Sequence, residues 1–177
     1  MSEGRKSKPR VRPTRPIGLS QDGAPTKVNP LPEPHEDGWF IAAPMSNRLY
    51  QKSALGKPID GGIVVSEEEL MFCHWHRHLP LPEGWVDERL EENPDFAHKV
   101  VAYDVVRNAG DKVVPVDGEW LRWARESHPS KSEPVASVRW ARSGDELNIS
   151  ELFDWTREIS AKGMMNEIAI VDDEMDV

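Results

Sequence analysis

Apolar and polar positions change over in short bursts along this chain, with turn residues between them. Trp39-Phe-Ile-Ala-Ala43 is a short apolar run, and Arg48-Leu-Tyr-Gln-Lys52 alternates, so both are expected as strands. Gly56-Lys-Pro58 and Asp60-Gly-Gly62 carry turn chemistry, and Ile63-Val-Val65 reads as a further strand. Ser66 followed by Glu69 predicts a capping box, in which side chain and backbone satisfy each other at a helix start. That helix carries Leu70, Cys73, His74 and Arg77, and Pro80 and Pro82 end it. Asn93-Pro94 is expected to open the next helix, because proline at the first turn loses no needed donor. Phe96, Val100, Tyr103 and Val106 follow near helical spacing, and Gly110 stops the run. Lys112-Val-Val-Pro-Val116 starts a second unit.

The most ordered pattern lies between Glu119 and Glu174 and reads strand, loop, strand, helix, strand. Glu119-Trp-Leu-Arg-Trp-Ala124 is a short aromatic strand, and residues 125–134 form a polar loop. In residues 135–141, Ala136, Val138 and Trp140 fall on one strand face. Asn148-Ile-Ser-Glu151 predicts a second capping box. Leu152, Trp155, Thr156 and Ile159 then share a helical face, and Gly163 suits the left-handed position after a helix. Ile168-Ala-Ile-Val171 is a run expected of a buried strand, and Asp172, Asp173 and Glu174 close it with three carboxylates.

Composition narrows the picture. The 177 residues suffice for one medium domain or two small ones. No apolar run approaches the ~18 residues of a membrane helix, and no apolar segment near the N-terminus resembles a signal peptide. With a single cysteine, Cys73, no intramolecular disulfide forms, which fits a reducing compartment and a cytoplasmic protein. The net charge of -9 argues against coating of nucleic acid by the whole surface. The charge is uneven, however. Residues 1–16 hold six bases against one acid, Glu3, whereas residues 143–177 hold ten acids against two bases, Arg157 and Lys162. Prolines 9, 13, 16, 25, 30, 32 and 34 block regular structure in the basic arm, so residues 1–35 are expected as a disordered tail.

Cys73, His74, His76 and His78 raise a metal question. His74 and His78 are four residues apart, a spacing at which two imidazoles on one helical face can ligate zinc. His76 points elsewhere, and no Cys-x-x-Cys or His-Glu-x-x-His companion exists in the sequence. The plainer expectation is a helix end with cations at its negative pole, so neither a metal nor another cofactor is assigned.

The order of elements resembles the C-terminal domain of the archaeal tRNA-splicing endonucleases. The residues that carry the resemblance are Glu119-Trp-Leu-Arg-Trp123, His128-Pro-Ser-Lys-Ser-Glu133 and Ala169-Ile-Val-Asp-Asp-Glu174. It extends upstream through Val65-Ser-Glu-Glu-Glu-Leu70 and from Phe96 to Lys112, so it covers most of residues 45–177. The family cuts RNA by turning a ribose 2′-hydroxyl against its own phosphate. That chemistry needs a general base, a general acid and a cation, which the family supplies as Tyr, His and Lys. Aligned to the family pattern, the tyrosine position holds Trp123, the histidine position Glu133 and the lysine position Met164. An indole exchanges no proton, a carboxylate repels phosphate, and a thioether neutralises no charge. The resemblance therefore implies a subunit without catalytic residues. His128 and Lys162 could restore the roles only if the register were off by five and by two residues.

The resemblance also implies an assembly. The family forms tetramers in which an acidic loop after the last core strand enters a basic pocket on the opposing pair. Asp172, Asp173 and Glu174 match that loop. Arg157 matches a family arginine that stacks on a flipped bulge base, although Asp154, three residues before it, equally fits a solvated helical ion pair. The expected architecture is α+β. An N-terminal mixed α/β domain over 36–112 precedes a small restriction-endonuclease-like domain over 113–177, with a mixed sheet and a flanking helix. The metal-nuclease signature of such cores, an acid followed by Glu-x-Lys, has no convincing copy. The expected function is that of a non-catalytic structural subunit of a heterotetrameric tRNA-splicing endonuclease. Its expected partners are a paralogous catalytic subunit and precursor tRNA with a bulge–helix–bulge, with no membrane. The alternative is an RNA-binding or interaction protein that reuses the fold outside splicing.

Overall fold

The structure is a computed structural model that describes residues 29–177; the basic arm over residues 1–28 lies outside the described residues. The described chain is α+β, with two four-stranded sheets. The first contains β1 (Glu33–His35), β2 (Gly38–Ala42), β3 (Lys57–Ile59) and β4 (Gly62–Val65). Its order is β1-β2-β4-β3, and every neighbour is antiparallel. The second contains β5 (Lys112–Val116), β6 (Glu119–Trp123), β7 (Ala136–Arg142) and β8 (Met165–Val171), in chain order. It is mixed, because β7 and β8 run parallel and are joined through a helix, the connection that a parallel pair requires.

The helices are α1 (Met45–Ser53), α2 (Glu67–Arg77), α3 (Trp85–Glu92), α4 (Phe96–Asn108) and α5 (Ile149–Ala161). Among the described residues, the part before β5 thus holds four helices, adding α1 and α3 to the two expected there. One hydrophobic core joins both sheets. It runs from Ile41 and Val65 through Leu70 and Tyr103 to Val138 and Val171. A relay of edge-to-face rings follows the same route, with Trp85 on Phe96 at 5.7 Å and Tyr103 on Trp120 at 5.3 Å. Trp120, 1% exposed, also donates from Nε1 to Glu68 Oε1 at 3.3 Å, which ties β6 to α2. Glu68 is itself paired with Lys99 at 3.0 Å, so this buried carboxylate is not left alone.

Several local expectations need correction. Arg48–Lys52 is helical, because the useful period is Met45, Leu49 and Tyr50 against the core rather than the alternation of a five-residue window. Gly56-Lys-Pro58 is not a turn alone: Lys57 begins β3, an edge strand where proline is tolerated. Residues 33–35 form β1, so the irregular tail does not extend to 35. Asn93-Pro94 precedes α4 without belonging to it. Asn93 closes α3 and turns the chain by accepting from Asp95 N through its side chain at 3.0 Å. Residues 168–171 are only half buried, because β8 is a sheet edge. Ala169 and Val171 face the core while Ile168 and Ile170 are exposed.

Other expectations hold. Ser66 and Glu69 form the reciprocal capping box, and Gly163 follows α5 with φ +74°. At Asn148 the side chain does cap α5, accepting from Ser150 N and Glu151 N. Glu151, however, takes the Asn148 amide at 3.1 Å instead of reaching the backbone.

Candidate functional site

A cleft of about 640 Å³ opens where β6, the β6–β7 loop and the end of α5 meet. Strand alternation places Glu119, Leu121 and Trp123 on the cleft side of β6, while Trp120 points into the core. The loop contributes Ser132 and Glu133, and α5 with its exit contributes Glu158, Lys162 and Met164. Trp123, Glu133 and Met164, taken from three separate segments, therefore converge on one cleft. Trp123 is 6% exposed, and its Nε1 donates to the Ser132 carbonyl at 2.9 Å. The indole is used to hold the loop in place.

The charges in the cleft are mostly negative. Asp117, Glu119, Glu133 and Glu158 face a single cation, Lys162, and Glu158 already holds it at 2.6 Å. Glu119 is committed to structure. Burial acts to raise its pKa, but hydrogen bonds from Ser137, Arg139 and Trp155 outweigh this and hold the carboxyl below its ordinary value. Arg139 also lies 4.5 Å over the Trp155 ring. Strand order alone gave no sign of this four-residue knot, which links β6, β7 and α5. Each of its members is polar or aromatic within an otherwise ordinary strand or helix pattern.

His128 does not line the cleft. Its Nδ1 lies 2.8 Å from Ser130 Oγ and its Nε2 3.0 Å from the Tyr50 carbonyl, so Nε2 carries the proton that is donated there. The ring also packs edge-on against Tyr50 at 5.0 Å. His128 pins the β6–β7 loop to α1. The displaced pair of His128 and Lys162 is therefore split between a structural clamp and a neutralised ammonium.

Arg157 lies on α5 with its side chain 82% exposed, 3.6 Å from Asp154, and is not part of the cleft lining. A pair so exposed contributes at most a few tenths of a kcal/mol. Asp172, Asp173 and Glu174 occupy a turn directly after β8. They are not equivalent. Asp172 Oδ1 accepts from the backbone of Glu174 and of Asp176, both at 2.9 Å, so it shapes the turn. Asp173 and Glu174 are exposed and make no ion pair with the described residues.

The histidine cluster is dispersed by its own contacts. His74 Nδ1 meets the Leu79 carbonyl at 2.8 Å, and His76 Nε2 meets Asp104 at 2.6 Å. His78 adopts φ +56° as the residue closing α2, which breaks the helical spacing assumed between it and His74. Burial pushes the Cys73 thiol up to about 12, so it is not a thiolate ligand at neutral pH.

No protein-family model matches this chain, and no curated protein matches it significantly.

Proposed function

We propose that this chain is a non-catalytic structural subunit of a heteromeric tRNA-splicing endonuclease, supporting a paralogous subunit that cuts the intron from precursor tRNA. The observation that carries this reading is the convergence of Trp123, Glu133 and Met164 on one cleft. Three positions nominated by the resemblance, up to 41 residues apart in sequence, come together as a reacting centre would. Trp123 and Met164 offer neither proton exchange nor positive charge, and Glu133, although a carboxyl can exchange a proton, brings negative charge where the family has its histidine, so the base–acid–cation set of 2′-hydroxyl attack is not assembled. The surplus of carboxylates around them opposes the approach of a scissile phosphate.

The test is reconstitution. The purified chain should leave an intron-bearing precursor tRNA intact, and adding a paralogue that keeps Tyr, His and Lys should produce cleavage above that of the paralogue alone. Intron release by the isolated chain, abolished by His128→Ala or Lys162→Ala, would overturn the reading. So would full activity of the paralogue with no response to this chain.

A second expectation concerns assembly. Replacing Asp173 and Glu174 by Asn and Gln removes two exposed charges and leaves the turn-forming Asp172 in place. The mixed complex should then dissociate more readily in sedimentation, and more so as salt rises, while the monomer keeps its melting temperature. An unchanged mass at low micromolar concentration would exclude the acidic turn from the contact.

A further inference from the structure

Among the described residues, cations fall into two groups, paired and unpaired. Arg89, Lys99, Arg122, Arg139, Arg142, Arg157 and Lys162 each lie within ion-pair distance of a carboxylate. Arg48, Lys52, Lys57, Arg77, Arg107, Lys112, Arg125 and Lys131 have no such partner among the described residues, and five of them, Lys52, Arg77, Arg107, Lys112 and Arg125, line one cavity of about 300 Å³. Asp111 is the single carboxylate in the lining, and it is already paired with Arg122. None of the five lines the Trp123 cleft.

Helix ends explain part of this clustering. α1, α2 and α4 all finish at the cavity, and cations are favourable at their negative poles. Arg107 donates to the Ser53 carbonyl, Arg77 to that of His76 at 2.9 Å, and Arg125 to that of Ala109 at 3.1 Å. Each helix end is worth roughly half a negative charge, about one and a half in all. Against five full charges, an excess of about three remains, in a chain whose net charge is -9.

The helix carbonyls also fix the groups in place. The Arg77 guanidinium lies 5.7 Å over the Phe72 ring, and Arg107 lies 5.1 Å from the same ring. Arg125 packs against Gly110, where an added Cβ would stand 1.9 Å from Nη2. These contacts leave Arg125 Nη1, Arg77 Nη2 and the Lys52 ammonium without a protein hydrogen-bond partner among the described residues.

We propose that this cavity binds phosphate groups of an RNA backbone, on a face separate from the cleft. Several planar guanidinium forks with open N–H edges match the oxygens of phosphate, and an excess of about three charges suits successive phosphodiesters better than one carboxylate. That the RNA is a precursor tRNA rests on the function proposed above; the phosphate chemistry does not.

The test compares the full chain with a Lys52→Gln/Arg77→Gln/Arg125→Gln variant, which removes the three charges and leaves a shorter polar side chain with an N–H donor at each position. Arg107 and Lys112 are left in place, and circular dichroism checks the fold. Fluorescence anisotropy with a bulge-containing RNA hairpin, from 50 to 200 mM salt, is the readout. The basic N-terminal arm is present in both proteins and cancels. The variant should bind at least tenfold more weakly, and its slope of log K against log salt should be shallower by about 2, as expected for three lost phosphate contacts. Equal affinity and slope would overturn the proposal. A variant that loses binding of an Asp-Asp-Glu peptide while keeping RNA affinity would reassign the cavity to an acidic protein segment. Precursor-tRNA cleavage by the mixed complex is scored separately. Cleavage retained with an unchanged slope removes the cavity proposal alone. A reduced slope without cleavage in any mixture removes the splicing role and leaves the phosphate site.

Discussion

Replacing Arg107 by Met should cost about 3 kcal/mol of stability, since hydrogen bonds from a charged donor are worth roughly 1.5–3 kcal/mol each and buried acceptors left unpaired are penalised further. The residue is 5% exposed and lies in the last turn of α4. Its Nη1 donates to the Val113 carbonyl at 2.5 Å, and its Nη2 to the Ser53 carbonyl, so one guanidinium joins the end of α1 to β5. Tyr103 Oη shares the Val113 carbonyl at 3.0 Å and continues to satisfy it in the variant. The Ser53 carbonyl has no such substitute among the hydrogen bonds described. Met keeps an apolar stem over Phe72, which separates loss of donors from loss of packing. For a chain of this size the melting temperature should fall by roughly 10 °C. Arg107→Lys, which keeps charge but not the fork, should recover only part of this. A loss below about 1 kcal/mol in urea titration would show that the guanidinium contacts are dispensable.

What the sequence made legible was whatever rests on neighbours in the chain. The Ser66–Glu69 box, the Asn148 cap, Gly163 after α5 and the β7-α5-β8 order all follow from side chains meeting backbone within four residues. Arg48–Lys52 misled because five residues cannot separate a period of two from a period of 3.6 when only Leu49 is buried. Residues 168–171 misled because apolar content does not say which strand ends a sheet. The candidate cleft was legible only through the resemblance. Trp123, Glu133 and Met164 share no local pattern, and their meeting is a tertiary fact. The cationic cavity had no sequence signature at all. Its members stand at the ends of separate elements between residues 52 and 125, and each looks like an ordinary helix terminator or loop residue.

Glu69 should make this protein less stable as pH rises from about 4.5 to about 7. Its carboxyl is 3% exposed, and burial pushes its pKa up to about 7, against the lowering effect of hydrogen bonds from Gly56 and Ser66 and of the Arg107 charge. In the unfolded chain the group releases its proton near 4.5, whereas the folded chain keeps it until about 7. Between those values the folded state binds more protons than the unfolded state, so stability falls with rising pH. The contribution is fully present below about 4.5, is lost through the window, and is constant above about 7. At 1.36 kcal/mol per pKa unit the change is on the order of 3 kcal/mol. Glu119 does not oppose it in this window. A carboxyl held below its ordinary value is ionised in both states there, and its own effect is lost only as pH falls further. Urea midpoints measured from pH 5 to pH 8 should therefore decline, and Glu69→Gln should flatten the decline. At pH 5 the variant should also be weaker by about 1–3 kcal/mol, because Glu69 accepts from Gly56 N at 2.9 Å through one oxygen and from Ser66 N at 3.1 Å through the other, and Gln offers only one acceptor. If the variant keeps the wild-type pH slope, the titrating group lies elsewhere and Glu69 is ionised in the folded protein throughout.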